Sequence, residues 1–234
     1  MKIFKAIFDL FFPPRCIYCG QFLALGDRPL ICGRCRDLVP QMQVRCGKCG
    51  GVITYNSGRP ECLSCKAAGR YFDGVFSPSI YAGDVRSAIL KYKFGSRIYL
   101  AKSLCFFAAD GLKKLGVNAD VILSVPPDPK RVSKRGFDST GQLAKIISQS
   151  LKIPYKLGWL KKIKSTPAQS KLTKAERLKN IKGAFALSSK ADVKDLCILL
   201  IDDVFTTGAT TSEIAKILKK KGAKYVFVAT IAKR

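Results

Sequence analysis

The chain has 234 residues, of which 47% are hydrophobic and 25% are charged, and these average globular fractions exclude a wholly disordered chain or a protein with many membrane spans. Its 42 lysines and arginines against 16 acidic residues leave a net charge of +26. That charge favours a polyanionic partner, either nucleic acid or a phosphorylated small molecule, and a basic surface that serves only solubility is the alternative. Histidine is absent, so imidazole is excluded as a metal ligand and as a general base.

The first segment, residues 1–12, is predicted to be an amphipathic helix, because its apolar side chains recur at helical spacing before Pro13. Packing of this helix on its own protein is favoured over anchoring at a membrane surface. Lys5 and Asp9 interrupt the apolar run, and no small-residue cleavage site precedes Pro13, which argues against a secretion signal. We therefore expect a cytoplasmic protein without membrane contact.

Eight of the ten cysteines form four C-x-x-C pairs in an internal duplication. Adding 30 to each position of the first copy gives the second copy, and twelve residues separate the two pairs within each copy. A C-x-x-C turn places two thiolates on one side of a Zn²⁺ ion, and two such turns complete a tetrahedral shell. The predicted ligands of two zinc ions are Cys16, Cys19, Cys32, Cys35, Cys46, Cys49, Cys62 and Cys65.

Other uses of these cysteines fit the pattern less well. An intracellular chain argues against disulfides, four pairs exceed what a thioredoxin-like motif uses, and the ferredoxin spacing is absent. A closed four-sulfur site leaves no coordination position for a substrate, so both ions are predicted to be structural. The spacing leaves open whether the two copies exchange ligands. We assign residues 1–70 to the helix and double zinc ribbon, and residues 71–234 to a second, larger domain.

The larger domain is predicted to have an α/β fold, with a parallel sheet flanked by helices, because strand patterns alternate with helical patterns of ten or more residues. Such sheets bind ligands beyond the carboxyl ends of their strands, which here lie just after Pro126 and Ile201. The predicted extended segments are 72–82, 120–126, 153–160, 197–202 and 225–232, and the predicted helices are 84–93, 97–115, 140–151, 173–181 and 210–221.

The sequence IDDVFTTGATTSE, which begins at Ile201, gives the most specific chemical signal. A loop of threonine and glycine before a helix can surround a phosphate with backbone N–H groups and hydroxyls. Asp202 and Asp203 would repel an adjacent phosphate, so their predicted partners are hydroxyl groups or a metal ion. A sugar phosphate meets both demands, whereas a helix cap alone would need only one carboxylate.

The run LLIDDVFTTGAT resembles the phosphoribosyl diphosphate (PRPP) motif of type I phosphoribosyltransferases. Over nearly its full length the chain resembles the ComF family of competence-associated proteins, because the cysteine module, SVPPDPKRVSKRGF, STPAQSKLTKAERLKNIKGAF and the PRPP motif occur in that order. The resemblance implies a type I phosphoribosyltransferase-like domain that binds PRPP together with Mg²⁺. In the transferases the acidic pair bonds the ribose hydroxyls and the loop holds the 5′-phosphate.

Carried onto this sequence, the resemblance implies two groups of site residues. The PRPP-binding residues are Asp202, Asp203, Thr206, Thr207, Gly208, Ala209 and Thr210. The diphosphate loop contains Val125, Pro126, Pro127, Asp128, Arg131 and Arg135, with Lys130 and Lys134 as further cations.

The chain departs from the family pattern at Asp138, where RGFDS stands in place of the usual RGFNQ, and a carboxylate at this position is not expected to bind an anion. The basic segment 161–182 is a candidate for the mobile loop that closes over transferase sites. A solvated surface helix is the alternative for that segment.

Two functions of different class remain. The first is a PRPP-binding protein that handles single-stranded DNA in competence, DNA uptake or processing, as the resemblance implies, with competence-machinery proteins as further partners. Tyr92 and Phe94 lie beside Lys91 and Lys93 and suit stacking on single strands, although they fit a protein core equally well. The second is phosphoribosyl transfer to an unidentified base or nucleotide-related acceptor, for which the sequence shows no recognisable acceptor pocket and identifies no catalytic residue.

Overall fold

The computed structural model describes residues 13–24, 29–39, 46, 69–95, 97–164 and 180–234. The predictions for the N-terminal helix, for Cys49, Cys62 and Cys65, and for most of the helix over 173–181 lie outside these residues. The domain boundary near residue 70 stays a prediction.

A parallel sheet forms the centre of the larger domain. Its strands are β1 (Gly74–Phe76), β2 (Ser79–Ile80), β3 (Val121–Ser124), β6 (Cys197–Phe205) and β7 (Tyr225–Lys233). Their spatial order is β1, β7, β6, β3, and β2 extends the β1 edge by pairing with β7. Since β3 and β6 are parallel neighbours, both strands end at the same edge of the sheet.

Helices cover both faces of this sheet, as the α/β prediction requires. The helices are α1 (Gly33–Leu38), α2 (Gly83–Phe94), α3 (Ala101–Lys114), α4 (Pro129–Arg135), α5 (Ser139–Leu151) and α6 (Ala209–Lys220), and a 3₁₀ turn, Ile98–Leu100, precedes α3. Alternate residues of β6 point to opposite faces: Leu199 packs in one cluster with α3 and α5, and Leu200 packs in another with α6. The α/β prediction is confirmed.

Within the larger domain, helix α4 and an antiparallel pairing of two short strands were not predicted. Helix α4 has no buried residue, so it carries no hydrophobic period by which a sequence pattern could reveal it. Strand β4 (Leu160–Lys162) pairs antiparallel with β5 (Phe185–Leu187) and takes up the start of the basic segment that was proposed as a loop. Within the segment predicted to be extended over 153–160, Tyr155 forms an isolated bridge to Ile122 before β4 begins at Leu160.

The first zinc ribbon packs directly on α3. The Tyr18 and Phe107 rings stack with centroids 6.2 Å apart, and the Leu30 N–H donates to Ser103 Oγ at 2.9 Å in a buried position. Ribbon and sheet domain therefore share one apolar cluster. Within the described part of the chain, no helix has the length and apolar character needed to cross a membrane.

Candidate functional site

A cavity of about 670 Å³ opens where β3 and β6 end, and this position agrees with the ligand site predicted just after Pro126 and Ile201. All thirteen residues predicted to bind PRPP or its diphosphate line the cavity. Lys134 lines it as well, whereas Lys130 does not belong to the lining that the described residues form. The fold thus brings both predicted groups together, and binding itself stays a prediction.

The two carboxylates at the end of β6 differ in their partners. Asp203 Oδ2 forms an ion pair with Lys93 Nζ at 2.5 Å, and both side chains are more than four-fifths buried. Asp202 Oδ1 accepts the backbone N–H of Asp203 at 2.8 Å. Burial, reinforced by the charge of Asp203, raises the pKa of Asp202 to about 7, although Lys93 acts in the opposite direction. Near neutral pH the acidic pair can therefore hold either a proton or a further cation.

The loop between β6 and α6 presents a helix N-terminus to the cavity. Gly208 has φ +75°, in the left-handed region, and a Cβ atom there would lie 2.6 Å from Phe205 Cζ, so the turn requires glycine. Thr207 Oγ1 accepts the N–H of Ala209 at 3.4 Å, and the Thr211 hydroxyl donates to the Gly208 carbonyl at 3.1 Å. The first N–H groups of α6 lack intrahelical acceptors, and the positive end of the helix favours an anion beside them.

The turn after β3 is held by hydrogen bonds and a buried ion pair. Val125 donates its N–H to the Ile201 carbonyl at 2.9 Å. The Asp128 side chain caps α4 by accepting the Lys130 N–H at 3.1 Å, and it pairs with Lys162 Nζ at 3.2 Å, with both side chains at most 8% exposed. These contacts neutralise the Asp128 carboxylate, so they remove an obstacle to an anion near this turn.

Helix α4 supplies cations to the wall of the cavity. Arg131, Lys134 and Arg135 line the cavity. The Arg135 guanidinium lies 4.8 Å from the centroid of the Phe94 ring and donates from Nη1 to Ser139 Oγ at 3.3 Å. Arginine held in this way presents a fixed guanidinium, which suits recognition of phosphate oxygens.

The two aromatic residues at the end of α2 have different roles. Tyr92 is fully buried, and its hydroxyl donates to the Ser139 carbonyl at 2.7 Å, so the core interpretation is correct for Tyr92. Phe94 is 68% exposed and lines the cavity. Of the two rings, only that of Phe94 has a face that a ligand can reach.

The Asp138 carboxylate has a structural role at the start of α5. Its Oδ1 accepts the Gly141 N–H at 2.8 Å, and a Cβ atom at Gly141 would lie 2.5 Å from Asp138 Oδ2. Burial raises the pKa of Asp138. This residue caps the helix and does not belong to the cavity lining within the described residues.

Sequence reasoning missed the pairing of the site carboxylates with lysines. Lys93 was considered only for DNA contact, and Lys162 was one of several basic residues in segment 161–182. The signal for Lys162 was the basic composition of that segment, but composition does not indicate which lysine reaches Asp128.

The four cysteines of the first copy form one cluster. Their sulfur atoms lie within 4.8 Å of one another, and Cys19 Sγ is 3.6 Å from Cys32 Sγ. A tetrahedral ion with Zn–S distances of about 2.3 Å separates its sulfurs by about 3.8 Å, so the cluster fits Zn²⁺. Among the described residues, this cluster consists of Cys16, Cys19, Cys32 and Cys35, and whether the two copies exchange ligands stays a prediction.

Comparisons with known proteins match both parts of the chain. Residues 138–234 match the phosphoribosyl transferase domain family, and residues 7–68 match the double zinc ribbon domain family. Competence protein F of Haemophilus influenzae is 28% identical over 95% of this chain and 98% of its own length. DNA utilization protein YhgH of Salmonella typhimurium is 29% identical over 92% of this chain and 95% of its own length.

Among solved structures, the glutamine PRPP amidotransferase of B. subtilis superposes with a TM-score of 0.42 and 21% identity, over 61% of this chain and 30% of that one. The family matches confirm the predicted fold class, a phosphoribosyltransferase-type α/β domain that follows an N-terminal double zinc ribbon.

Proposed function

We propose that this chain, which belongs to the ComF family of competence-associated proteins, binds PRPP or a related ribose phosphate and handles single-stranded DNA during uptake or processing. The membership agrees with the resemblance drawn from the order of the motifs. The names of the relatives, Competence protein F and DNA utilization protein, support the DNA part of the proposal. They do not favour the alternative of an active phosphoribosyltransferase.

One observation carries the ribose phosphate part: an acidic pair, a helix N-terminus and a cation-bearing helix converge on one cavity. PRPP carries hydroxyls, a 5′-phosphate and a diphosphate, and each group has a chemically suitable wall. In the proposed complex the hydroxyls bond to Asp202 and Asp203, the 5′-phosphate lies at the N-terminus of α6, and the diphosphate lies near Arg131 and Arg135.

Mg²⁺ is the proposed companion of PRPP. Asp202 and Asp203 offer the carboxylate oxygens that Mg²⁺ prefers, and their placement beside the cavity fits such an ion. When bound, Mg²⁺ would neutralise part of the diphosphate charge. For the ribbons we propose two structural zinc ions. We place the protein in the cytoplasm, with competence-machinery proteins as partners.

Calorimetric titration of zinc-loaded protein with PRPP and Mg²⁺ tests the ribose phosphate part. Asp202→Asn and Asp203→Asn should each weaken binding at least about tenfold, because losing a hydrogen bond to a charged group costs about 1.5 to 3 kcal/mol. Asp110→Asn is the matched control, since Asp110 is an exposed acid of α3 that pairs with Lys114. Zinc content and thermal unfolding serve as checks of folding. Unchanged PRPP affinity in both folded cavity variants rejects this site.

Fluorescence anisotropy with labelled oligo(dT) at several salt concentrations tests the DNA part. A phosphate-binding protein should lose affinity steeply as salt rises. An affinity no greater than that of an unrelated protein of similar positive charge rejects DNA handling.

A further inference from the structure

We propose that single-stranded nucleic acid binds along the outer surface of α6 and the start of β7, at a site separate from the cavity. This surface, called here the α6 track, comprises Tyr71, Lys216, Lys219, Lys224, Tyr225 and Phe227. The inference rests on the proposed DNA function and adds the place on the molecule where the strand binds.

Exposed aromatic rings form one end of the track. Tyr225 and Phe227 are 44% and 37% exposed, and as the first and third residues of β7 they share one face of the strand. Their rings stack with centroids 6.1 Å apart and planes 28° from parallel. Exposed aromatic faces of this kind stack on bases of any sequence.

Lysines lie over the tyrosine rings of the track. Lys219 Nζ is 5.4 Å and Lys224 Nζ is 5.9 Å from the centroid of Tyr225. Lys216 Nζ is 5.3 Å from the centroid of Tyr71, and Lys216 and Lys219 share one face of α6 because they are three residues apart. The track therefore places rings for bases next to cations for phosphates.

Among the described salt bridges, one acid contacts these cations: Asp73 Oδ2 pairs with Lys219 Nζ at 2.8 Å, and Lys219 Nζ also donates to the Lys224 carbonyl at 2.7 Å. The charges of Asp73 and Lys219 cancel, so the net positive charge of the track comes from Lys216 and Lys224. Exposed Lys220 and Lys221 add further positive charge beside Lys224. The surface therefore has a positive sign, complementary to a nucleic acid backbone.

Hydrogen bonds hold the parts of the track in place. The Asp73 N–H donates to the Val226 carbonyl at 2.8 Å, and the Val226 N–H donates to Asp73 Oδ2 at 2.7 Å. The Tyr71 N–H donates to Ser212 Oγ, one turn into α6, at 3.3 Å. A surface fixed in this way loses little conformational entropy when a strand binds.

The track is separate from the cavity. Tyr225 begins β7 and lies at the amino edge of the parallel sheet, whereas the cavity lies at the carboxyl edge. Helix α6 has 12 residues and is about 18 Å long at 1.5 Å per residue. It joins the phosphate loop at its N-terminus to the track along its outer surface.

The first test measures the affinity of the full, zinc-loaded chain for fluorescein-labelled oligo(dT) of about 12 nucleotides. The variant Tyr225→Leu/Phe227→Leu should bind at least about tenfold more weakly, because stacking contributes about 1 to 3 kcal/mol per base. Tyr99→Leu is the matched control, since Tyr99 is a 63% exposed tyrosine outside the track, and it should bind like the wild type. Zinc content and thermal unfolding of the double variant check that it has folded.

Replacing lysines tests the electrostatic part. Lys216→Gln and Lys224→Gln should each reduce the slope of log K against log salt by about 0.7. Lys145→Gln, on α5, removes the same charge outside the track. Its slope should lie closer to that of the wild type than the slopes of the two track variants do.

Ultraviolet cross-linking to oligo(dT), followed by trypsin and mass spectrometry, locates the strand directly. Cleavage after Lys224 and Lys233 releases peptide 225–233, with both aromatic residues of β7. Peptide 98–102 reports the Tyr99 control and peptide 94–97 reports the cavity. The track predicts cross-links on peptide 225–233.

Each outcome decides one question. Wild-type affinity of the double variant, or cross-links confined to peptide 94–97, overturns the track while DNA handling stands. A wild-type chain that does not bind oligo(dT) overturns both. Binding of an acidic protein at the track, with no binding of oligo(dT) there, would also overturn the proposal. An acidic protein would need the lysines of the track but not its aromatic rings.

Discussion

Replacing Gly208 with alanine tests the geometry of the phosphate loop. Alanine at φ +75° is strained by about 1 to 2 kcal/mol. Its Cβ would also lie 2.6 Å from Phe205 Cζ, and that ring is buried edge-on against Phe72 at a centroid distance of 5.8 Å. Such overpacking costs about 1 to 3 kcal/mol, so we expect Gly208→Ala to lower the free energy of unfolding by about 2 to 5 kcal/mol.

Gly158→Ala is the matched control, because Gly158 has φ +79° but no atom within 4 Å of its added Cβ. Denaturant unfolding of the zinc-loaded proteins should show a loss of about 1 to 2 kcal/mol for this control. PRPP titration should show weaker binding for Gly208→Ala and unchanged binding for Gly158→Ala. Equal destabilisation of the two variants, with equal PRPP affinity, would refute the close packing of the loop on Phe205.

Two further predictions concern the acidic pair. The folded-state pKa of Asp202 is raised from 3.8 to about 7, so the ligand-free protein should lose about 1 to 3 kcal/mol of stability as pH rises through that interval. The Asp202→Asn variant should lose less stability over the same interval. Identical pH profiles of the two proteins in denaturant unfolding would contradict this prediction. Because Lys93 lowers the pKa of Asp202, Lys93→Met should move the midpoint of that profile to higher pH. The double variant Lys93→Met/Asp203→Asn should move the midpoint back to lower pH, because it also removes the charge of Asp203. An unchanged midpoint for Lys93→Met would show that the ion pair has no influence on Asp202.

The sheet and the cavity position were predictable because both depend on local patterns. The apolar run of β6 ends at Asp202, and the carboxyl ends of parallel strands meet at one edge. The phosphate loop was predictable for the same reason, since Gly208 and the start of α6 are neighbours in the sequence. Local patterns also predicted the cysteine cluster of the first copy, where each pair of ligands is separated by two residues.

Contacts between distant segments were not predictable from one sequence. The spacing of Lys93 and Asp203, or of Asp128 and Lys162, gives no sign that they pair, because tertiary folding alone brings them together. The fate of Tyr92 was undecided for a related reason: burial depends on whether another element covers the ring, and here α5 contributes the Ser139 carbonyl that accepts its hydroxyl.

The ion pairs give the cavity an asymmetric charge that bears on how a ligand enters. Lys93 and Lys162 neutralise Asp203 and Asp128, while α4 brings Arg131, Lys134 and Arg135 to the wall. An anion can therefore approach the α4 wall without first breaking either pair, since like-charge repulsion is reduced there. A metal ion at Asp203 must instead compete with Lys93 for the carboxylate. A ligand that brings both an anion and a metal ion favours replacement of Lys93 by the metal, because the anion gives Lys93 a new partner. Because Lys93→Met leaves the Asp203 carboxylate uncompensated in the cavity, inorganic diphosphate should bind the variant more weakly than the wild type, while Mg²⁺ should bind the variant more tightly. Equal Mg²⁺ affinity of the two proteins would refute the competition.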